Sequence, residues 1–210
     1  TADKVKITSH LFEIFECDGD WDYSNVCGFN PSVTGITGLE TAELIDKVVS
    51  LARPGVVLAI DALAAKDIKR LSTTIQICDT GIMPGAGMGN RRKEISRKTV
   101  GCPVISIGVP TVIDARTLIM DAAEEIKAAG GDAEGRAAGC TQEKLQNYLE
   151  KGSFDMIVTS TDIDEIIKDF ADIISNAINI TLHPGIYSKV KESRRGSIPE
   201  RKENRRGKPK

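Results

Sequence analysis

No apolar run in this 210-residue chain approaches the roughly 18–20 residues that a membrane-crossing helix needs, so a span of that kind is not read anywhere in it. The opening stretch TADKVKITSH lacks the basic region and apolar core of a secretory leader, and a cytoplasmic location is expected. Histidine is scarce: only His10 and His183 are present, far apart and without ligand spacing. A zinc site built on imidazoles is therefore not expected, and neither a metal nor a cofactor is predicted. The five cysteines (Cys17, Cys27, Cys78, Cys102, Cys140) are odd in number and contain no CxxC pair, which argues against a disulfide framework and for reduced thiols. Cys78 and Cys102 lie in or beside apolar runs, where a free cysteine behaves as a small hydrophobe. No internal repeat is visible.

What the sequence does have is an uneven charge. The formal net charge of −2 conceals a segment, 188–210, with ten Lys/Arg against three Asp/Glu. That segment has too few apolar residues to bury a core and reads as a disordered tail; nucleic-acid contact by counterion release is the functional alternative to a merely solvated one. Residues 1–187 are long enough for one sizeable core and are read as one domain.

Within that domain, short apolar runs alternate with helical patterns, which predicts an α/β layered fold. After a loop rich in Asp, Gly and Asn over 17–38, Thr37-Gly38-Leu39-Glu40 reads as a capping box opening a helix to about Ala52. Val56-Val57-Leu58-Ala59-Ile60 is a continuous apolar run that fits a strand buried on both faces. A helix is predicted over 62–71, a strand over 73–78, a glycine loop over 79–90 and a basic helix over 91–99. A further strand, VISIGV at 104–109, is closed by Pro110. Thr111-Val112-Ile113-Asp114 reads as the capped start of a helix ending near Gly130-Gly131, followed by a loop, a helix over 142–151 and a strand around 156–158. The last helix, 162–182, carries Ile163, Ile166, Ile167, Phe170, Ile173, Ile174 and Ala177 at helical spacing, a stripe expected to be core.

Three constellations could carry chemistry. Asp79-Thr80-Gly81 has the letters of the pepsin motif, but that motif works in an all-β fold where two copies meet and two carboxylates share a proton. One copy between helical segments does not fit it. Gly85-Ala86-Gly87-Met88-Gly89-Asn90-Arg91-Arg92-Lys93 could wrap an anion with backbone amides, and it could equally be a tight loop that needs glycine's positive φ. It is neither GxGxxG nor a Walker loop. Asp61 follows directly on a predicted buried strand, where ligands of α/β sheets gather. There a carboxylate could be partly desolvated and serve as general acid or base; it could also simply cap the next helix.

Longer strings say more. Gly35-Ile36-Thr37-Gly38-Leu39-Glu40-Thr41, Ala59-Ile60-Asp61-Ala62-Leu63-Ala64-Ala65 and Thr73-Thr74-Ile75-Gln76-Ile77-Cys78-Asp79-Thr80-Gly81-Ile82 resemble the germination protease of spore-forming bacteria. So do Pro84-Gly85-Ala86-Gly87-Met88-Gly89-Asn90-Arg91-Arg92-Lys93-Glu94 and the run from Pro103 to Ala115. Thr8-Ser9-His10-Leu11-Phe12 and Leu182-His183-Pro184-Gly185-Ile186 are similar as well. The resemblance covers most of 5–120 and 156–186. It implies a three-layer αβα fold with a mostly parallel or mixed sheet, like that of the hydrogenase-maturation proteases. It also implies an atypical aspartic endopeptidase that degrades small acid-soluble spore proteins during germination in the spore core, is made as a zymogen and assembles as a homotetramer.

In that family two Asp residues are essential, and one occupies the position of Asp61. The other belongs to a Thr-Pro-Asp-Ala-Leu-Gly segment that precedes the Thr-x-His-Leu-Phe string; no such segment stands ahead of Thr8 here. The expectation is that this catalytic segment is missing and that the connection over 120–155 is abbreviated. Asp79 is then a candidate substitute carboxylate, with Gly85, Gly87, Gly89 and Asn90 lining the cleft. The alternative is an inactive or truncated homologue that works as a binding or assembly protein.

Overall fold

In a computed structural model of the chain, residues 1–11, 23–32, 34–86, 92–128, 142–152 and 154–185 are described. They gather into two compact units: Phe29–Phe170, and Thr1–Gly28 together with the chain from Ala171 onward.

The larger unit holds helix α1 (Thr41–Ala52), strands β1 (Val57–Ala65), β2 (Gln76–Cys78) and β3 (Val104–Asp114), helices α2 (Ala115–Ala128) and α3 (Gln142–Lys151), and strand β4 (Ile157–Thr159). The sheet is mixed. β3 is its centre, paired in parallel with β1 along one edge and antiparallel with β2 and then β4 along the other. The molecule is thus an α/β protein with a mixed sheet, as its alternating pattern predicts. Its core is apolar and ordinary: Ala42 of α1, Ile95, Val100 and Val104 pack with Ile45, Val49, Val57 and Ala59.

Several boundaries differ from the sequence reading. The helix expected over 62–71 is absent: β1 continues to Ala65, and only a short 3₁₀ turn, Ile68–Arg70, follows. Ala, Leu and Lys favour a helix by local propensity, but pairing of Ala62–Ala65 with Val109–Ile113 overrides it. Pro110 does not close β3. It lies between the residue where β2 pairing stops, Gly108, and the one where β4 pairing starts, Val112, so its missing N–H deprives neither strand of a ladder bond. The Pro110 carbonyl accepts from the Ser72 N–H at 2.7 Å.

The basic helix expected over 91–99 is a four-residue turn, Arg97–Val100, at whose start the Thr99 hydroxyl accepts from the Ser96 N–H at 2.9 Å. Thr37 does not cap α1, whose N-cap is Glu40; the Thr37 hydroxyl instead accepts from the Leu39 N–H at 3.2 Å. Asp114 is a true cap, and its carboxylate accepts from the N–H groups of Arg116 (2.9 Å) and Thr117 (3.2 Å). Cys78 is exposed rather than buried, because β2 is an edge strand. The basic tail, 188–210, lies outside the described residues.

Helix α4 (Ile163–Leu182) carries the long apolar stripe. Ile174 is buried, whereas Ile167 and Ile173 are 47% and 55% exposed, so that stripe is core only in part.

In the smaller unit, Asn179 brackets the N-terminal segment as a neighbouring strand would. Its Oδ1 accepts from the Lys6 N–H (2.8 Å) and its Nδ2 donates to the Lys4 carbonyl (3.0 Å). His183 is fully buried, with Nε2 3.0 Å from the Lys6 carbonyl, and Lys4 pairs with Asp172. Thr8 is buried as well, donating to the Ser24 carbonyl (2.6 Å) and accepting from the Val26 N–H (3.0 Å). These bonds give the two terminal strings, which stand far apart in sequence, a common structural purpose.

Because Ile113 is wholly buried in β3, Ile113→Ala should cost about 2–5 kcal/mol, read from the urea midpoint. Leu51→Ala, at a residue 86% exposed, should change stability by less than about 0.5 kcal/mol.

Candidate active site

Asp61 is not at the end of its strand but in the middle of β1, directly opposite Gly108. Side chains alternate across a strand, so Val57, Ala59, Asp61 and Leu63 share the face that packs toward α1. Its carboxylate is half-buried. Oδ1 accepts from the N–H of the next residue, Ala62, at 2.9 Å, so Asp61 caps no helix. Burial raises its pKa above the ordinary carboxylate value, and the Ala62 hydrogen bond offsets that only in part.

The register explains why a carboxylate fits there. On the shared face, Asp61, Gly108 and Gln76 form one row across three strands, and Ala59, Ser106 and Cys78 form the next. Glycine at 108 leaves no side chain beside Asp61. A Cβ there would collide with the Leu63 side chain, which folds over the glycine. Sequence reasoning singled out Asp61 and overlooked Gly108, Leu63 and Gln76. A glycine inside VISIGV was the available signal, since glycine in a strand marks close approach.

Asp79, the candidate substitute carboxylate, does not converge on Asp61. With strands about 4.8 Å apart and a rise of about 3.3 Å per residue, the Cα of Cys78 is about 12 Å from that of Asp61. Asp79 follows it, exposed, in the turn that leaves β2. Two carboxylates share a proton only at about 3 Å, and the register keeps these two well beyond that.

The turn itself is pinned at its start. Ile82 and Ile95 exchange two backbone hydrogen bonds (2.9 and 2.8 Å), and at Gly81, with φ +96°, any Cβ would fall on the Ile95 carbonyl. Gly85 takes φ +72°, the conformation for which its glycine was predicted. Gly87, Gly89 and Asn90 lie outside the described residues. The exposed Cys78 thiol has a lowered pKa, mainly through its 2.9 Å hydrogen bond with the Thr80 hydroxyl. Among the described residues no group of three or more His, Cys, Asp or Glu side chains comes together as a metal-ligand set.

Residues 1–137 match the sequence profile described as germination protease. The chain is also similar to the germination protease of Clostridium tetani, with 41% identity over 88% of this chain and 60% of the relative. For the proteins of that name from Caldanaerobacter subterraneus and Bacillus subtilis, identity is 38% and 34%, over 88% and 93% of this chain. The chain spans about three-fifths of the length of these relatives, 60% to 63%.

The buried position of Asp61 has a consequence for stability. In acid both the folded and unfolded states hold its proton and no penalty exists. As pH rises through the ordinary carboxylate range towards the raised folded value, ionisation favours the unfolded chain. Asp61→Asn, which keeps an oxygen for the Ala62 N–H, should therefore raise Tm at neutral pH, and the difference should vanish near about pH 3. A variant less stable than wild type at neutral pH would contradict this.

Proposed function

The chain belongs to the germination protease family, and on that premise we propose that it is an endopeptidase acting on small acid-soluble spore proteins, with Asp61 as a working carboxylate. The observation that carries this reading is the half-buried carboxyl of Asp61 on β1, with a raised pKa and only one protein hydrogen bond among the described residues. The Ala62 N–H holds Oδ1, which leaves Oδ2 to face a water molecule.

In the proposed reaction Oδ2 takes a proton as the water oxygen bonds to the substrate carbonyl carbon. The C–N bond then breaks, and the leaving nitrogen receives a proton from a second acid. A carboxylate whose pKa is raised is a stronger base for that first transfer than an ordinary aspartate. That second acid is the role the resemblance assigns to the Thr-Pro-Asp segment. Assembly as a homo-oligomer, synthesis as a zymogen and action in the spore core belong to the same reading.

One observation favours a second reading. Neither the register nor the cause of its shift gives Asp61 a carboxylate neighbour among the described residues. In that reading the chain binds the same proteins without cutting them.

The two are separated by incubating the chain with purified small acid-soluble spore protein, with and without a chelator. The protease reading expects cleavage that a chelator leaves intact and that Asp61→Asn lowers by about 100-fold or more. Unimpaired cleavage by the Asn variant would remove Asp61 from the reaction. Binding without cleavage by wild type would select the second reading.

A further inference from the structure

We infer that Gln76 is a further catalytic residue of this site: its carboxamide donates a hydrogen bond to the carbonyl oxygen of the peptide bond that the water on Asp61 attacks. The inference rests on the protease reading of Asp61 and adds the group that meets the charge which the reaction creates.

The sheet places the two side chains. Asp61 pairs with Gly108 in the parallel ladder and Gly108 pairs with Gln76 in the antiparallel one, so all three share one face. Strands about 4.8 Å apart set the Cα atoms of Asp61 and Gln76 about 9.6 Å from each other. Position 108 contributes no side chain between them, and the Leu63 side chain lies over the glycine. The carboxylate and the carboxamide thus flank a glycine covered by an aliphatic group. A gap of that width is too long for a direct hydrogen bond between side chains standing upright on the sheet. It takes a water on Asp61 and, beyond it, a peptide carbonyl, with reacting atoms about 3–3.5 Å apart and hydrogen bonds of about 2.6–3.2 Å.

The choice of Gln76 follows from what its neighbours already do. In the next row the Ser106 hydroxyl donates to the Cys78 carbonyl (3.3 Å), and the Cys78 thiol is engaged with the Thr80 hydroxyl (2.9 Å). Gln76 is half-buried, and its carboxamide is committed to none of the described residues. β2 is paired with β3 from Gln76 to Cys78 and the turn after it is pinned by the Ile82–Ile95 bridge, so the donor is in place before a substrate arrives. As the water oxygen bonds to the carbonyl carbon, Oδ2 of Asp61 takes the water proton and the π electrons move to the carbonyl oxygen. An N–H aimed at that oxygen stabilises the developing charge more than it stabilises the neutral carbonyl. When the C–N bond breaks, the electrons return to re-form the carbonyl and the leaving nitrogen is protonated by the second acid. A carboxamide transfers no proton, so Gln76 does not stand in for that acid.

The test uses the full chain and a spore-protein peptide that spans a bond cleaved by wild type. Gln76→Met keeps the length of the side chain and removes the donor. It should lower kcat about 100-fold and leave KM within about twofold, with the fold kept by circular dichroism. Gln76→Glu, an acceptor of the same size, should lose as much, which separates the missing donor from altered packing. The sharpest readout is a thioamide in place of the cleaved amide, because sulfur accepts hydrogen bonds poorly. Wild type should discriminate against the thioamide about tenfold more strongly than Gln76→Met does, a ratio that a merely structural residue would not move. Equal discrimination by the two overturns the proposal, as does a Gln76→Met variant with kcat unchanged or with its whole loss in KM. If wild type cleaves and Asp61→Asn is impaired while Gln76→Met is not, the protease reading stands and Gln76 alone is removed. If wild type cleaves no bond, that reading falls and this inference falls with it.

Discussion

The parallel ladder between Val57–Ala65 and Val104–Ile113 decides, residue by residue, which groups of β1 meet the core and which face outward. It sets Gly108 opposite Asp61, so that a charged side chain is placed in a strand without another side chain against it. It also aligns Leu63 to fold over that glycine. The Ala62 N–H gives the carboxylate its one described hydrogen bond. A shift of one residue would send Asp61 to the opposite face, beside Ile60's present neighbours, and none of these relations would survive.

The ladder is in turn secured from both sides. Helix α1 covers Val57, Ala59 and Val104 with Ala42, Ile45 and Val49, while β2 and β4 complete the other edge of β3. Gly81 and the Ile82–Ile95 bridge anchor the turn after β2 by backbone contacts that any other residue at 81 would break. The glycine loop thus begins from a fixed point. Its first described glycines act through backbone conformation, and neither Gly81 nor Gly85 needs a bound anion to account for it.

How much of this the sequence disclosed depended on which force dominated locally. Where burial and propensity agree, as in α1 and in α3 (Gln142–Lys151), the expected and observed elements nearly coincide. Where tertiary pairing opposes propensity, the reading went wrong: Ala62-Leu63-Ala64-Ala65 has the composition of a helix and lies in a strand. Pro110 looked like a stop and is tolerated because β2 and β4 leave a gap there along one edge of β3. Asp61 was legible as a carboxylate worth notice, first by its place after an apolar run and then by the string around it. Its surroundings were not legible, since Gly108 and Gln76 become its neighbours only through the register of strands distant in sequence.

The role proposed for Asp61 requires a carboxyl whose proton affinity is raised by burial in the sheet. Carboxyl carbon NMR of the full chain, titrated from acid to neutral pH, reads that property at the residue itself. The predicted result is an Asp61 midpoint clearly above the ordinary aspartate value of about 3.9. An Asp61 resonance titrating at or below that value would contradict the central claim.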